Sequence, residues 1–238
     1  MEIFLSFIPG ILTVVAFFLA SFIAWRILKD DYNEEEILSF VIWLLFFGLI
    51  FGRLAYIAGN FLDFRFTLSK WFLWTQYPGI SLPGVFIGAI FFSWYWTKKK
   101  NWNFWIVVDG LTPSWLTFLL ITNLSSFLTN FNQLLIPKLS LLIATFLAVL
   151  FLFKNFRKIH WYKSGKPGFI GCSAITFYCL GLAALDFYYG IEVYLSTILA
   201  FLIVLTAVFF LYRRSEREIK KDIGDVGKFL CRAKLKFK

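Results

Sequence analysis

The stretch ILSFVIWLLFFGLIFGRLAYIAG, Ile37–Gly59, decides the fold class of this chain. A helix that spans a bilayer needs about 20 consecutive, mainly apolar residues, and this stretch is long enough. It contains a single charged residue, Arg53, which lies well inside the run. Because an ionisable group is costly at membrane depth, Arg53 is a candidate functional residue.

The chain as a whole has the composition of an integral membrane protein. Of its 238 residues, 60% are hydrophobic, 22% are aromatic and only 16% are charged, with a mean hydropathy of +0.74. Soluble domains carry more charge. The net charge of +10 is typical of membrane proteins, whose Lys and Arg residues collect in cytoplasmic loops, and we expect no nucleic-acid partner.

The hydropathy pattern predicts an all-α integral membrane protein with about seven transmembrane helices. The third predicted span is short and is interrupted by glycines and prolines in its opening motif YPGISLPGVFIG, Tyr77–Gly88. The predicted spans lie near Ile3–Leu28, Ile37–Gly59, Ile80–Thr97, Trp102–Leu128, Leu134–Phe153, Gly168–Tyr189 and Val193–Tyr212.

The distribution of Lys and Arg predicts the orientation. One side of the membrane receives Lys98–Lys100 and most other basic residues, whereas the other side receives little more than Arg65, Lys70 and Lys138. The positive-inside rule then places the N-terminus outside and the C-terminus in the cytoplasm, with the opening motif facing outward. We expect a transmembrane domain over residues 1–212 and a basic cytoplasmic tail over residues 213–238.

Three ionisable side chains, Arg53, Asp109 and Asp186, lie at predicted membrane depth. With a rise of about 1.5 Å per residue, Arg53 lies about 24 Å from the inner end of its span and Asp186 about 27 Å from its own. Asp109 lies only about 10 Å from the inner end. Arg53 and Asp186 therefore share a level and could pair.

Two interpretations of Arg53 stay open. Its guanidinium either forms a structural ion pair with Asp186 or receives a lipid phosphate, which its planar fork suits. Asp109 is expected to cap or pin a helix near the inner interface. Pro113 follows four residues later and predicts an irregular segment whose carbonyl groups need other partners. The single histidine, His160, lies in a predicted cytoplasmic loop.

Three segments in order along the chain resemble the prolipoprotein diacylglyceryl transferase family. They are GRLAYIAGNF, then PGISLPGVFIG with the following basic loop and VVDGLTP, and then KPGFIGCSAITFYCLGLAALDF. Their order and spacing carry the resemblance, since each short motif alone is weak. The matching positions are Gly52, Arg53, Leu54, Tyr56, Asn60, Gly79, Ser81, Gly84, Gly88, Asp109, Pro113, Pro167, Gly168, Tyr178, Gly181 and Phe187.

Several positions that carry the family's chemistry hold other residues here. Pro9 stands where the family has a tyrosine, and Pro83 stands where it has a histidine. Asn123 and Leu182 replace arginines. Ser126 replaces an asparagine, and Asp186 stands in place of a glutamate. By this resemblance, the family's catalytic positions are largely substituted.

The resemblance implies an enzyme of the bacterial plasma (inner) membrane that moves a diacylglyceryl group from phosphatidylglycerol to the lipobox cysteine thiol of a prolipoprotein. Its partners would be phosphatidylglycerol or another anionic phospholipid and prolipoprotein signal peptides, with no cofactor and no metal. A second hypothesis is a non-catalytic relative that binds phospholipid or lipoprotein precursor in an inherited cavity, and a third is a small transporter or scaffold. The expected lipid- or phosphate-binding residues are Arg53, Tyr56, Asn60, Ser81, Gly84, Asn123 and Ser126.

Overall fold

The computed structural model describes residues 2–64, 70–71, 77, 79–129, 135–155, 162, 164–189 and 194–216. Within these residues the chain forms seven long helices and one helix of four residues, and no strand. Each long helix coincides with one predicted span, so the predicted all-α class is confirmed. The helices are α1 (Glu2–Leu28), α2 (Glu34–Gly59), α3 (Phe61–Phe64), α4 (Leu82–Lys100), α5 (Phe104–Thr129), α6 (Leu135–Asn155), α7 (Phe169–Tyr188) and α8 (Tyr194–Arg214).

Five of these helices are long and apolar enough to cross a membrane: Pro9–Leu28 of α1, α2, α5, α6 and α7. Many of their large apolar side chains face outward, as in Phe18 (66% exposed), Ile42 (63%) and Phe151 (63%). Such side chains suit contact with lipid, and the chain is a multi-pass membrane protein. The spans in α4 and α8 stay predictions, because the side chains of residues 82–83 and 194–200 lie outside the description.

The ends of α2 and α4 follow from local sequence. Asn33 caps α2 by accepting a hydrogen bond from the Glu35 amide at 3.2 Å, and three glutamates occupy the first turn. Asn101 ends α4 in the left-handed conformation, after three lysines in the last turn. Acidic residues at a helix start and basic residues at a helix end complement the helix dipole.

The structure differs from the sequence prediction at two prolines. The third span was expected to be interrupted, but α4 is continuous from Leu82 to Lys100, although it is the shortest of the long helices. Pro83 lies in its first turn, where a missing amide donor costs nothing. The prediction of an irregular segment at Pro113 is also wrong, because α5 is helical through this proline. Membrane helices tolerate proline where neighbouring groups satisfy the freed carbonyl.

The chain divides into two compact units, which we call the central unit (Phe17–Ser114) and the flanking unit (Met1–Ala16 with Trp115–Lys238). In the flanking unit, α7 packs against α6 and α8, and the Leu141 side chain lies against Gly181. The Trp115 and Tyr178 rings meet edge to face at 5.7 Å between centroids. The Ser164 hydroxyl donates to the Arg214 carbonyl at 2.7 Å, and Lys166 pairs with Glu216.

In the central unit, α2 and α4 pack along a seam of four glycines spaced four residues apart on each helix: Gly48 and Gly52 on α2, and Gly84 and Gly88 on α4. A Cβ atom added to Gly84 would lie 2.4 Å from the Ala55 Cβ and 2.7 Å from the Phe51 carbonyl oxygen. Small residues allow helix backbones in membranes to approach this closely. Gly84 and Gly88 of the opening motif are therefore packing residues.

At the end of the central unit where α2 begins, an apolar core brings four helices together: α1, α2, α4 and α5. Its buried residues include Leu28, Ile37, Phe40, Phe92, Trp96 and Val107. The Tyr32 and Trp102 rings stack above it with centroids 4.1 Å apart. The Asn103 amide donates to the Tyr32 hydroxyl at 3.0 Å. Lys100 and Glu36 form a half-exposed salt bridge of 2.7 Å. This end carries the basic residues assigned to the cytoplasm by sequence, and that orientation stays a prediction, as does the division at residue 212.

Candidate functional site

The centre of the candidate site is Arg53, which α2 buries to 4% exposure close to its C-terminal end. The Nε atom donates to the Trp71 carbonyl at 3.1 Å, and Nη2 donates to the Lys70 carbonyl at 3.0 Å. The Nη1 atom donates to the Tyr77 carbonyl at 2.7 Å and to the Gly79 carbonyl at 3.0 Å. Among the described residues, four backbone carbonyls of the connection between α3 and α4 therefore accept hydrogen bonds from Arg53. These bonds supply the compensation that a buried charge needs.

Two aromatic rings flank the Arg53 guanidinium. Its carbon atom lies 5.2 Å from the Phe64 ring centroid and 5.8 Å from that of Tyr56. The two rings also meet each other edge to face at 5.9 Å. Contacts of this kind with the faces of aromatic rings favour a cation, and most when water is excluded. The site is thus an enclosed cation held by rings and carbonyl oxygens.

Gly79 fits this site because it lacks a side chain. Its φ of +152° lies in a region that other residues rarely adopt, and an added Cβ would lie 2.2 Å from Cζ of Tyr56. Two residues later, the Ser81 amide donates to the Gly52 carbonyl at 3.0 Å. The Tyr56 ring, Gly79 and Ser81 therefore fix the path of the chain into α4.

A second cation, Lys70, lies beside the same connection. Its Nζ is 5.5 Å from the Tyr77 ring centroid, and the carbonyls of both residues accept hydrogen bonds from Arg53. Lys70 is half-buried and Tyr77 is 38% exposed, so this pair lies nearer the surface of the unit than Arg53. Sequence reasoning used Lys70 only as an outer-side charge for orientation.

The other predicted binding residues fall into two groups. In the central unit, Asn60 ends α2 and donates its side-chain amide to the Tyr56 carbonyl at 2.9 Å. Ser81 is the N-cap of α4, and Gly84 is buried against α2. In the flanking unit, Asn123 donates to the Leu119 carbonyl at 2.8 Å, and Ser126 donates to the Thr122 carbonyl at 3.1 Å. Both of these side chains are thus bonded within α5.

The two acidic candidates lie on separate helices. Asp109 is 8% exposed in the first part of α5, within the central unit, and its role as a helix-pinning residue stays a prediction. Asp186 is half-buried in the last turn of α7, within the flanking unit, so its ion pair with Arg53 also stays a prediction. His160 lies outside the described residues. Within the described ranges, no three His, Cys, Asp or Glu side chains form a group that could hold a metal ion.

Comparison with known proteins decides the family. A model of the family described as prolipoprotein diacylglyceryl transferase matches residues 8–133, more than half of the 238 residues. The chain belongs to the prolipoprotein diacylglyceryl transferase family. The predicted family resemblance is thereby confirmed.

Two curated relatives carry the name phosphatidylglycerol–prolipoprotein diacylglyceryl transferase. The chain is 28% identical over 108 residues to the protein from Thermus thermophilus, and this match covers 44% of the chain and 37% of the relative. It is 28% identical over 107 residues to the protein from Thermosynechococcus vestitus, covering 44% of this chain and 39% of that relative. The match thus spans well under half the length of either relative.

The diacylglyceryl transferase match covers the Arg53 site but not every substituted position. Pro9, Pro83 and Asn123 lie within residues 8–133, whereas Leu182 lies outside, in α7. Pro9 lies inside α1, where its carbonyl accepts a hydrogen bond from the Thr13 hydroxyl at 2.7 Å. Neither proline nor leucine can transfer a proton or carry charge. Pro9, Pro83, Asn123 and Leu182 therefore supply no acid, base or cation.

Proposed function

We propose that this chain works in a bacterial plasma membrane on the family's substrates, transferring a diacylglyceryl group from phosphatidylglycerol to the lipobox cysteine of a prolipoprotein. The family match over residues 8–133 carries this proposal. The matched range includes Arg53 together with Tyr56, Gly79 and Ser81. The names of the two relatives state the same substrates.

The proposed reaction needs a thiolate and a stabilised leaving group. A bond forms between the cysteine sulfur and a glycerol carbon, the carbon–oxygen bond to the phosphate breaks, and glycerol phosphate departs with the electron pair. The thiol proton must pass to a base, because the thiolate is the nucleophile. Positive charge near the phosphate stabilises the departing anion. Arg53 supplies buried positive charge in the central unit.

The proposed substrate site extends from Arg53 to the polar groups near it. Tyr56, Asn60 and Ser81 are the hydrogen-bonding candidates, and Gly84 allows close approach of the backbone. Asn123 and Ser126 are the candidates of the flanking unit. We further propose that the Arg53 end of the central unit lies at the outer face, with the N-terminus outside and the C-terminus cytoplasmic. The basic residues at the opposite end of that unit support this orientation.

A second candidate function is binding without transfer. Pro9, Pro83, Asn123 and Leu182 stand where the family resemblance places a tyrosine, a histidine and two arginines. The Asn123 amide already donates within its own helix. A chain with these substitutions could still hold a phospholipid or a lipoprotein precursor through the Arg53 site. It would then act as a non-catalytic relative.

Complementation separates the two candidates. The full chain is expressed in cells depleted of their own prolipoprotein diacylglyceryl transferase, and thioether-linked lipid on a reporter lipoprotein is measured together with growth. Growth with a lipidated reporter is the result expected of a transferase. A stably expressed chain that leaves the reporter unmodified overturns transfer and favours binding alone.

A restored variant provides the matched control for that experiment. The triple substitution Pro83→His, Asn123→Arg and Leu182→Arg returns three residue types that the family resemblance expects. If the triple variant lipidates the reporter and the natural chain does not, the substitutions themselves removed the activity. If neither does so while both are present in the membrane, the transferase proposal fails.

A further inference from the structure

We propose that Lys70 is a binding residue for the phosphate of an anionic phospholipid head group and that Arg53 is the positioning residue that presents it. The choice of ligand class rests on the proposed function. The assignment of the two roles rests on how the connection between α3 and α4 is held.

Arg53 is committed to the backbone of its own chain. It donates hydrogen bonds of 2.7 to 3.1 Å to the carbonyl oxygens of four described residues, and its side chain is 4% exposed. Its fork is therefore turned toward the connection that it binds. Buried hydrogen bonds of this kind hold the backbone at the accepting residues, since breaking any of them leaves a polar group without compensation.

The four acceptors lie in two separate parts of the connection. Lys70 and Trp71 belong to the first part, and Tyr77 and Gly79 belong to the second. One guanidinium thus joins two chain segments that the sequence separates by several residues. Gly79 adds a second constraint, because the Tyr56 ring occupies the space that any side chain there would need.

Lys70 and Tyr77 receive their positions from this arrangement. Arg53 binds the carbonyls of both residues, and the Lys70 ammonium lies 5.5 Å from the Tyr77 ring centroid. Contact with the ring face holds the flexible lysine side chain over an exposed aromatic residue. An ammonium group is a compact point charge that binds phosphate.

Arg53 and Lys70 differ in burial, and this difference assigns their two roles. Arg53 lies inside the unit, whereas Lys70 is half-buried beside the 38% exposed Tyr77. A head group that approaches this end therefore meets the ammonium and the ring first. The Arg53 charge adds attraction from behind without needing a direct hydrogen bond. This arrangement favours an anionic head group over a zwitterionic one.

Lipid binding by the purified full chain tests the role of Lys70. Native mass spectrometry measures binding of phosphatidylglycerol and of phosphatidylcholine to the wild type and to variants. We expect Lys70→Gln to weaken phosphatidylglycerol binding about fivefold, the effect of one lysine near an anionic surface, and Lys70→Arg to retain it. The control Lys99→Gln removes an exposed lysine from the opposite end of α4 and should change nothing.

Two results of that titration overturn the assignment. One is phosphatidylglycerol binding by Lys70→Gln that equals the wild type. The other comes from titration with soluble glycerol phosphate. If Lys70→Gln weakens the binding of this anion but does not weaken the binding of phosphatidylglycerol, the site binds a free anion and not a lipid.

Hydrogen–deuterium exchange tests the role of Arg53 without any substrate. We expect Arg53→Lys to accelerate amide exchange over residues 70–80 and to weaken phosphatidylglycerol binding as much as Lys70→Gln does. Gly79→Ala should do the same with both cations intact, because the added methyl group displaces the backbone beneath Tyr56. Adding Lys70→Gln to either variant should cause no further loss, since coupled residues are non-additive.

The positioning role is overturned by either of two observations. If Arg53→Lys weakens lipid binding while exchange over residues 70–80 is unchanged, Arg53 is itself the phosphate ligand. If amide exchange accelerates and lipid binding is unaffected, the position of the connection has no influence on lipid binding. Both measurements are independent of transfer. A chain that fails complementation but shows binding dependent on Lys70 loses the transferase proposal and keeps this one.

Discussion

The two ends of α2 hold their charges in opposite ways. Near its C-terminal end, Arg53 is 4% exposed and donates to four carbonyl oxygens. Near its start, Glu36 forms an ion pair with Lys100, and the two side chains are 34% and 35% exposed. A charge that the protein itself must compensate controls the path of the surrounding chain. A charge that lies near water or lipid head groups is compensated without the protein, so its partner matters less.

Removing the buried charge gives the largest expected effect. Arg53→Met retains volume but leaves four carbonyl groups without their donors, each at a cost of about 1–3 kcal/mol where it stays buried. We expect a loss of about 3–5 kcal/mol in the free energy of unfolding, measured by denaturant titration in detergent micelles. Stability within about 1 kcal/mol of the wild type would show that the carbonyls find other donors.

The glycine seam that joins the two ends provides the second prediction. A Cβ on Gly84 meets the Ala55 Cβ at 2.4 Å and the Phe51 carbonyl oxygen at 2.7 Å, whereas one on Gly48 meets the Val85 side chain at 3.3 Å and the Val85 carbonyl oxygen at 3.8 Å. We expect Gly84→Ala to destabilise by about 1–3 kcal/mol, as overpacking does. The matched control Gly48→Ala should change stability by less than about 1 kcal/mol, because better helix propensity offsets the contact. Equal effects would mean that the seam is not tighter at Gly84.

At the exposed end, Tyr32 is the residue whose loss should matter most. Its hydroxyl accepts from the Asn103 amide at 3.0 Å, and its ring stacks on Trp102. Tyr32→Phe retains the stack and removes the hydroxyl, so we expect a loss of about 0.5–1.5 kcal/mol. Thermal unfolding in micelles measures it. A larger loss, comparable to that of Arg53→Met, would contradict the contrast between the ends.

The salt bridge at the same end should contribute least at neutral pH. Glu36→Gln removes one charge of a half-exposed pair with Lys100, and such pairs are worth about 0–1 kcal/mol. The difference from the wild type should shrink further in about 1 M salt, where charges are screened within about 3 Å. A difference that persists unchanged in salt would show that the pair is protected from solvent.

Sequence reasoning predicted the helices better than the site, for physical reasons. Run length and hydropathy are properties of residue types, so all seven long helices could be found from the sequence. Arg53 was found because its charge is anomalous at that depth. The carbonyl groups that accept its hydrogen bonds were not found, because every residue has a backbone carbonyl group. Among the four acceptors, only Gly79 was singled out by the sequence, as a glycine of the opening motif. The bonds of Asn123 and Ser126 within α5 follow a general tendency of short polar side chains to bond to the carbonyl four residues earlier, and could have been expected.

Alkaline pH offers the finest test of the contrast, because the Tyr32 phenol at the exposed end titrates there and every other titrating group is the same in Tyr32→Phe. Burial raises the pKa of Tyr32 above its ordinary value of about 10, and the nearby Asp31 carboxylate raises it further, against a lowering by the Asn103 amide. A group whose pKa is raised in the folded state gives stability that is complete below the unfolded pKa and is lost as pH rises through the folded pKa. The wild type should therefore lose stability above about pH 10 more steeply than Tyr32→Phe does. Glu36→Gln, which retains the Tyr32 phenol, should follow the wild type. Parallel curves of unfolding free energy against pH for all three proteins would show that the Tyr32 hydroxyl ionises equally in the folded and unfolded states.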